Sequence, residues 1–169
     1  PQIDSAIKDR GESKDGYTMS DGQHMLLGGE PSIYYLVCNN TAAPFDNVDV
    51  RRAVSMAINR EAICKTLFKG PRTPADGIIP PGIDGYQEGA WEYCKYDVDA
   101  AKECLDKAGY PAGSDGSRGL KLTLSYNQDG GHKEIMESVI GDLEKVGLEV
   151  VSDTPEWSTL LDQYQQLDY

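Results

Sequence analysis

The stretch Pro44–Leu67, PFDNVDVRRAVSMAINREAICKTL, constrains the fold more than any other part of the chain. Within it Val50, Ala53, Val54, Ala57 and Ile58 recur at i, i+3, i+4, i+7 and i+8, which is one apolar stripe of an α-helix. Asn47 stands before the stripe as an N-cap, and Asp49 sits in the first turn, where a carboxylate suits the positive end of the helix dipole. Arg51, Arg52 and Arg60 fall off the stripe. Asn59 can cap a second short helix whose expected buried side is Ala62, Ile63, Thr66 and Leu67, and Lys69-Gly70-Pro71 ends it. Two short one-faced helices in series need another layer to pack on, and the flanking segments supply candidates.

Upstream, Ile33–Asn39 is a continuous apolar run rich in aromatic and branched residues, which predicts a strand buried on both faces. Before it, Pro1–Glu30 is polar and Gly-rich; Ile3, Ala6 and Ile7 allow a turn of helix, Met25-Leu26-Leu27 a short strand, and Lys8–Asp21 is expected to be mobile. Downstream, Pro71–Ala90 holds Pro71, Pro74, Pro80 and Pro81 among several glycines, a spacing that leaves no long regular element. Ile78, Ile79 and Tyr86 are expected to pack there. Asp97–Gly109 has the clearest helix ends: Asp97 as N-cap, Asp99 in the first turn, Lys107 in the last, Gly109 at C′ and Pro111 beyond. Leu120, Leu122, Leu124 and Tyr126 alternate with polar residues, as in a half-buried strand. A helix from about His132 to Val146 follows, with Ile135, Met136, Val139, Ile140, Leu143 and Val146 on its stripe. Leu148–Val151 is a second strand. Strand, helix and strand in that order predict a parallel crossover. Glu156–Leu167 is a last helix bearing Trp157, Leu160, Leu161 and Tyr164, with Trp157 assigned to core or lobe packing. The fold class is therefore α/β, with a mixed or mostly parallel twisted sheet flanked by helices.

Composition narrows function by exclusion. The 169 residues suffice for one domain. Lys and Arg number 16 against 28 Asp and Glu, a net charge of −12, and such a surface repels nucleic acid and anionic lipid. No apolar run is long enough to span a bilayer. Cys38, Cys64, Cys94 and Cys104 lack the paired spacing of zinc or thioredoxin-like sites. An exported protein could bridge them, with Cys94–Cys104 the first pair to expect; the competing expectation is that at least two are buried free thiols.

For catalysis the chain offers little. His24 and His132 lie far apart, no GxSxG elbow or HExxH helix occurs, and the acids read as caps, turns and solvated faces. The better candidate is a binding edge, Tyr126–Lys133, YNQDGGHK, running from the end of a strand to the start of a helix. In open α/β sheets ligands sit at that end of the strands. The helix start offers free backbone N–H groups suited to a carboxylate, and the paired glycines let a ligand approach the backbone.

Several groups of residues carry a resemblance. Tyr34–Asn39, then Pro44-Phe45-Asp46, then Val50-Arg51-Arg52-Ala53 and Ala57-Ile58-Asn59-Arg60, in that order, resemble the extracytoplasmic solute-binding proteins of ABC transporters. The match is to the large family that binds dipeptides, oligopeptides and nickel. Tyr96-Asp97, Ala101-Lys102 and Ala108-Gly109-Tyr110 are similar to a hallmark helix of the same family.

The resemblance implies one lobe of a periplasmic-binding-protein-like fold of cluster C type. Residues 1–32 would be the run-in from a neighbouring lobe, and residues 33–169 most of a C-terminal lobe, incomplete at its C-terminal end. Since family members are much longer and the chain opens on Pro1, it is expected to be an excised piece. The implied function is the substrate-binding component of an ABC importer, capturing short peptides outside the cytoplasmic membrane and delivering them to permease subunits. No enzyme activity, cofactor or nucleic-acid partner is implied. Location would be extracytoplasmic, periplasmic or on the outer face of the membrane, with attachment only through a lipid anchor outside this chain. The alternatives are the same scaffold binding nickel chelate, haem, oligosaccharide or a signalling peptide, or a surface adhesion protein.

In oligopeptide-binding members a Tyr-Asn turn, followed five residues on by His and then Lys, opens a helix whose Asn and His reach the peptide cleft; Asn127 and His132 match those positions. Tyr164 falls where such proteins can carry a cleft-facing Arg, which makes it the third expected ligand-binding residue. A metal role for His132 would need companion histidines that the chain does not supply convincingly.

Overall fold

The computed structural model describes residues 10–14, 17–20, 26–28, 30–68 and 72–169. Three short strands come first: β1 (Arg10–Lys14), β2 (Tyr17–Ser20) and β3 (Leu26–Gly28), paired antiparallel in that order. Residues 10–14 and 17–20 thus form a hairpin within the span expected to be mobile. The turn of helix expected around Ile3–Ile7 lies outside the described residues.

The helix pair forms as the sequence dictates. Helix α1 (Val48–Ala57) is capped by Asn47, whose side chain accepts from the Asp49 N–H at 2.9 Å. Helix α2 (Arg60–Thr66) is capped by Asn59, accepting from the Ala62 N–H at 2.9 Å. Each cap satisfies a donor that the first helical turn leaves unpaired. Arg60 binds the two helices together: its guanidinium donates to the Ser55 carbonyl at 2.8 Å, the Ser55 hydroxyl at 2.9 Å and the Cys94 carbonyl at 3.2 Å. The α1 stripe is buried as expected, with Val50, Ala53 and Ala57 fully enclosed. On α2 only Ile63 is buried; Ala62, Thr66 and Leu67 face out. A two-turn helix at the edge of the layer has one row of side chains in reach of the core, and that row is narrower than its apolar face.

Helix α3 (Val98–Lys107) packs chiefly on α1 through Ala101, Cys104 and Leu105. Its ends match the sequence reading. Asp97 accepts from the Ala100 N–H at 3.0 Å, and the Tyr110 N–H closes the C-terminus on the Leu105 carbonyl at 2.9 Å, beyond Gly109. Replacing Asp97 with Ala is expected to cost about 1 kcal/mol, and Asp97→Ser much less, because serine restores the acceptor. Urea denaturation of both variants measures the difference; equal losses would mean that the cap is not what Asp97 contributes.

Strands β4 (Lys121–Ser125) and β5 (Glu149–Asp153) flank helix α4 (Lys133–Glu144) and pair in parallel, with Lys121 opposite Glu149 and Ser125 opposite Asp153. This is the expected crossover. Leu120 and Leu122 point inward, and Ile135, Val139, Leu143, Val146 and Leu148 join them in the same core as α1 and α3. Asp142 on α4 ties this unit to the helix pair: its buried carboxylate accepts from the Asn59 N–H at 2.9 Å and from Lys145 at 2.7 Å. The second bond holds the Lys145 ammonium above its ordinary pKa. Helix α5 (Trp157–Gln166) ends the chain, anchored by buried Leu160.

Several expectations are corrected. Ile33–Asn39 is not a strand; Tyr34, Tyr35 and Val37 are exposed and no described residue pairs with that backbone as a ladder. An apolar run becomes a strand only where a neighbouring strand supplies hydrogen bonds, which composition cannot guarantee. Trp157 is not a core residue, at 53% exposed, and Leu161 is exposed with it. Ile78 and Ile79 stand out from the Pro-rich loop, which turns at Pro80-Pro81-Gly82 through an Ile83 N–H to Pro80 carbonyl bond of 3.3 Å. All four cysteines are free, so the Cys94–Cys104 bridge does not form. Cys104 is buried toward α1 while Cys94 sits on a separate 3-10 turn, and burial raises the pKa of each thiol.

Candidate binding edge

The C-terminal end of β4 opens into the turn Tyr126–His132, which feeds α4. Tyr126 anchors the turn from below: its side chain is buried and its N–H donates to the Asp153 carbonyl at 3.0 Å. Gln128 fastens the turn to the end of β5 through the Thr154 carbonyl at 2.9 Å. Gly130 and Gly131 then take positive φ, 93° and 73°, values that residues with a side chain rarely adopt. Their geometry swings the chain back so that His132 lands at the N-cap of α4, where its own side chain makes no cap bond. The imidazole is thereby left available for something other than the helix.

What it meets is Tyr34. The Tyr34 hydroxyl lies 2.8 Å from His132 Nδ1, and the two rings stack with centroids 5.6 Å apart and planes inclined by 29°. Gly130 lies against the Nε2 end of the ring, where an added Cβ would fall 2.8 Å from that atom. The glycine is therefore required twice, for its backbone angle and for the space the imidazole occupies.

The segment carrying Tyr34 is pinned by Asn39. Its side-chain amide donates to the Leu167 carbonyl at the end of α5 at 2.8 Å, while its oxygen accepts from the Thr41 hydroxyl at 2.7 Å. Residues 34–39 therefore run between the start of α4 and the end of α5, and their exposed tyrosines extend the edge. Tyr164 joins it from α5, edge-on to Tyr169 with centroids 5.0 Å apart and planes at 80°. Burial pushes the Tyr34 and Tyr164 hydroxyls above their ordinary pKa. Arg72 opposes the shift at Tyr34, while Tyr164 adds to it; at Tyr164, Tyr169 and Tyr35 add. These phenols stay protonated across the neutral range.

Of the three residues expected to bind ligand, His132 meets Tyr34 directly, while Tyr164 pairs with Tyr169. Asn127 belongs to the same turn as His132, but its amide donates to the Asp129 carbonyl at 2.7 Å, inside the turn itself. Tyr34, Tyr35, Tyr169 and Arg72 were not among the expected site residues. Tyr34 and Tyr35 lay in a run assigned to a buried strand, and exposure is the property that their apolar neighbours concealed.

A broader depression of about 670 Å³ lies at the opposite end of β4 and β5, lined among others by Lys102, Ser117, Arg118, Lys145 and Glu149. Arg118 there is engaged within the fold, donating to the Val146 carbonyl at 2.7 Å, the Tyr110 carbonyl at 2.6 Å and the Asp106 carboxylate. A side chain so occupied is structural, and the depression carries no functional assignment. Among the described residues no group of three His, Cys, Asp or Glu side chains is placed to hold a metal ion. Among them, too, no helix is long and apolar enough to cross a membrane.

Comparison with known proteins agrees with this architecture. The oligopeptide-binding protein OppA of Bacillus subtilis is 34% identical over 140 residues, covering 81% of this chain and 26% of its own length. Heme-binding protein A of Haemophilus influenzae is 32% identical over 127 residues, covering 75% and 23%. Among solved structures, the ABC transporter-associated periplasmic binding protein DppA of Helicobacter pylori, in complex with the peptide STSA, superposes with a TM-score of 0.63. Its sequence is 30% identical, and the match covers 74% of this chain and 23% of that one. The chain thus spans about a quarter of the length of the curated relatives it matches. The family described as bacterial extracellular solute-binding proteins, family 5 Middle, matches residues 2–169, essentially end to end. The chain belongs to the family 5 bacterial extracellular solute-binding proteins.

Proposed function

We propose that this chain forms part of one wall of a peptide-binding cleft, within a longer solute-binding protein that serves an ABC importer. Residues 1–32 are the run-in from a neighbouring lobe and residues 33–169 most of the C-terminal lobe. The protein captures short peptides outside the cytoplasmic membrane and passes them to the permease subunits, and no covalent chemistry takes place. The observation that carries this reading is the edge where the YNQDGGHK turn meets the exposed tyrosines of residues 34–35. A helix N-terminus, an imidazole and several phenols converge there, offering hydrogen bonds and aromatic faces to a polar main chain. Support also comes from the OppA relative and from the DppA structure, both peptide binders by name or by contents. Asn127, His132 and Tyr164 contact the ligand in this reading, Asn127 after releasing its bond to the Asp129 carbonyl. Lobe closure over the edge follows the hinge logic of two-lobed binding proteins.

The second reading, haem as cargo, rests on Heme-binding protein A. Native mass spectrometry of the entire polypeptide that carries this chain, purified without denaturation, separates the two. A ladder of adducts with the masses of short peptides is the expected result. A single adduct with a haem absorption band would replace peptide by haem, and a protein free of adducts that fails to compact on adding peptide pools would remove the binding reading altogether.

A further inference from the structure

We propose that Tyr34 is a positioning residue for His132: its hydroxyl donates to Nδ1 and so fixes the imidazole in the tautomer that carries its proton on Nε2, facing the binding edge. The proposal deepens the peptide-binding reading, and it names the ligand group met there as an acceptor, a peptide carbonyl or carboxylate oxygen.

Three independent observations converge on it. The first is the 2.8 Å contact between the Tyr34 hydroxyl and Nδ1. A neutral imidazole has one donor and one acceptor nitrogen, so whichever partner binds Nδ1 decides the role of Nε2. Imidazole nitrogen is a far stronger base than a phenol oxygen, so the bond runs from O–H to N. The second is the stacking of the two rings, which fixes the imidazole plane as well as its proton. A hydrogen bond alone would leave the ring free to rotate about the O···N axis. The third is Gly130, whose missing side chain leaves room for the Nε2 edge, 2.8 Å from where a Cβ would stand. Among the described residues no group accepts a hydrogen bond from Nε2. The donor is thus held in place, oriented and unspent, next to the free N–H groups that open α4.

The geometry also explains why a tyrosine serves here better than a carboxylate. A carboxylate on Nδ1 would make the opposite bond and favour a doubly protonated imidazole, adding charge to the edge. The phenol fixes the tautomer without bringing a charge of its own. A neutral fixed donor suits a ligand recognised by its main chain, where the side chains vary and charge would discriminate among them.

The test is nitrogen NMR of the histidines in the entire polypeptide that carries this chain, freed of bound ligand, with the His132 signals identified by their loss in His132→Gln. Spectra are recorded at about pH 8, well above the roughly 6.5 of a free histidine side chain. The parent spectrum is expected to show Nδ1 as the unprotonated nitrogen and Nε2 as the protonated one. In Tyr34→Phe, which keeps the ring and removes the hydroxyl, the Nδ1 resonance is expected to move toward the position of freely exchanging tautomers with no change in thermal midpoint. A protonated Nδ1 in the parent, or a Tyr34→Phe spectrum identical to it, overturns the proposal. Because no peptide is present, either result is independent of the mass-spectrometric test of peptide binding.

Discussion

Gly147→Ala is expected to destabilise the chain by about 3–5 kcal/mol, the largest loss expected from a Cβ added at any glycine whose surroundings are described. Two causes add. Gly147 has φ of 89°, where a Cβ is strained whatever the surroundings. A Cβ there would also fall 2.3 Å from the Gly116 carbonyl oxygen and 3.2 Å from Cγ of Arg118. The first contact is with backbone, so no rotamer change relieves it. The Gly116 loop or the start of β5 must move, and the Gly147 carbonyl accepts the Arg118 N–H at 3.0 Å in the same place. For a chain of this size such a loss lowers the thermal midpoint by roughly 10 °C. Calorimetry of the 169-residue chain measures it, and a shift under about 2 °C would show that the turn relaxes freely.

Arg118→Met is expected to cost about 3 kcal/mol, through bonds to backbone more than through charge pairing. The Arg118 side chain is 3% exposed while its ionic partner Asp106 is 55% exposed. An ion pair with one partner that open is worth little by itself. The Val146 and Tyr110 carbonyls are different: they lie just beyond the ends of α4 and α3, outside the helical hydrogen bonding, and Arg118 supplies a donor to both. Methionine fills much of the volume and leaves both acceptors unpaired. The comparison variant is Asp106→Asn, expected to cost under about 1 kcal/mol. Urea denaturation of the two variants decides the matter; equal losses would place the energy in the ion pair. Since Arg118 touches the space a Gly147 side chain would enter, the Gly147→Ala and Arg118→Met losses should not add.

Most of the helical framework was legible in the residues. Asn47, Asn59 and Asp97 cap the helices they were expected to cap, and the apolar stripes of α1 and α4 are buried nearly as written, with Ile140 only half-buried. The β4–α4–β5 crossover and the turn leading into α4 were legible too, since alternation, periodicity and glycine spacing are properties of contiguous residues. The errors lie where an outcome depended on a neighbour. Whether Ile33–Asn39 pairs as a strand, whether Cys94 reaches Cys104 and whether Trp157 enters this chain's core are questions about what stands opposite. Arg118 gave no signal at all: a lone arginine in a Gly/Ser/Asp loop looks solvated until the two helix ends it serves are brought beside it.

The binding edge divides in the same way. Asn127, His132 and Tyr164 were expected as ligand contacts from the family resemblance, by the positions they match. Tyr34 was not, because it meets His132 across 98 residues of chain. By itself the sequence determined the helices, their caps and the order of the crossover, because the hydrogen bonds involved close over a few residues. Only the tertiary structure decided that the tyrosines of residues 34–35 stand exposed beside an imidazole. That meeting depends on how α4, α5 and the Asn39 anchor are set against one another, and the relative placement of distant elements leaves no local pattern to read.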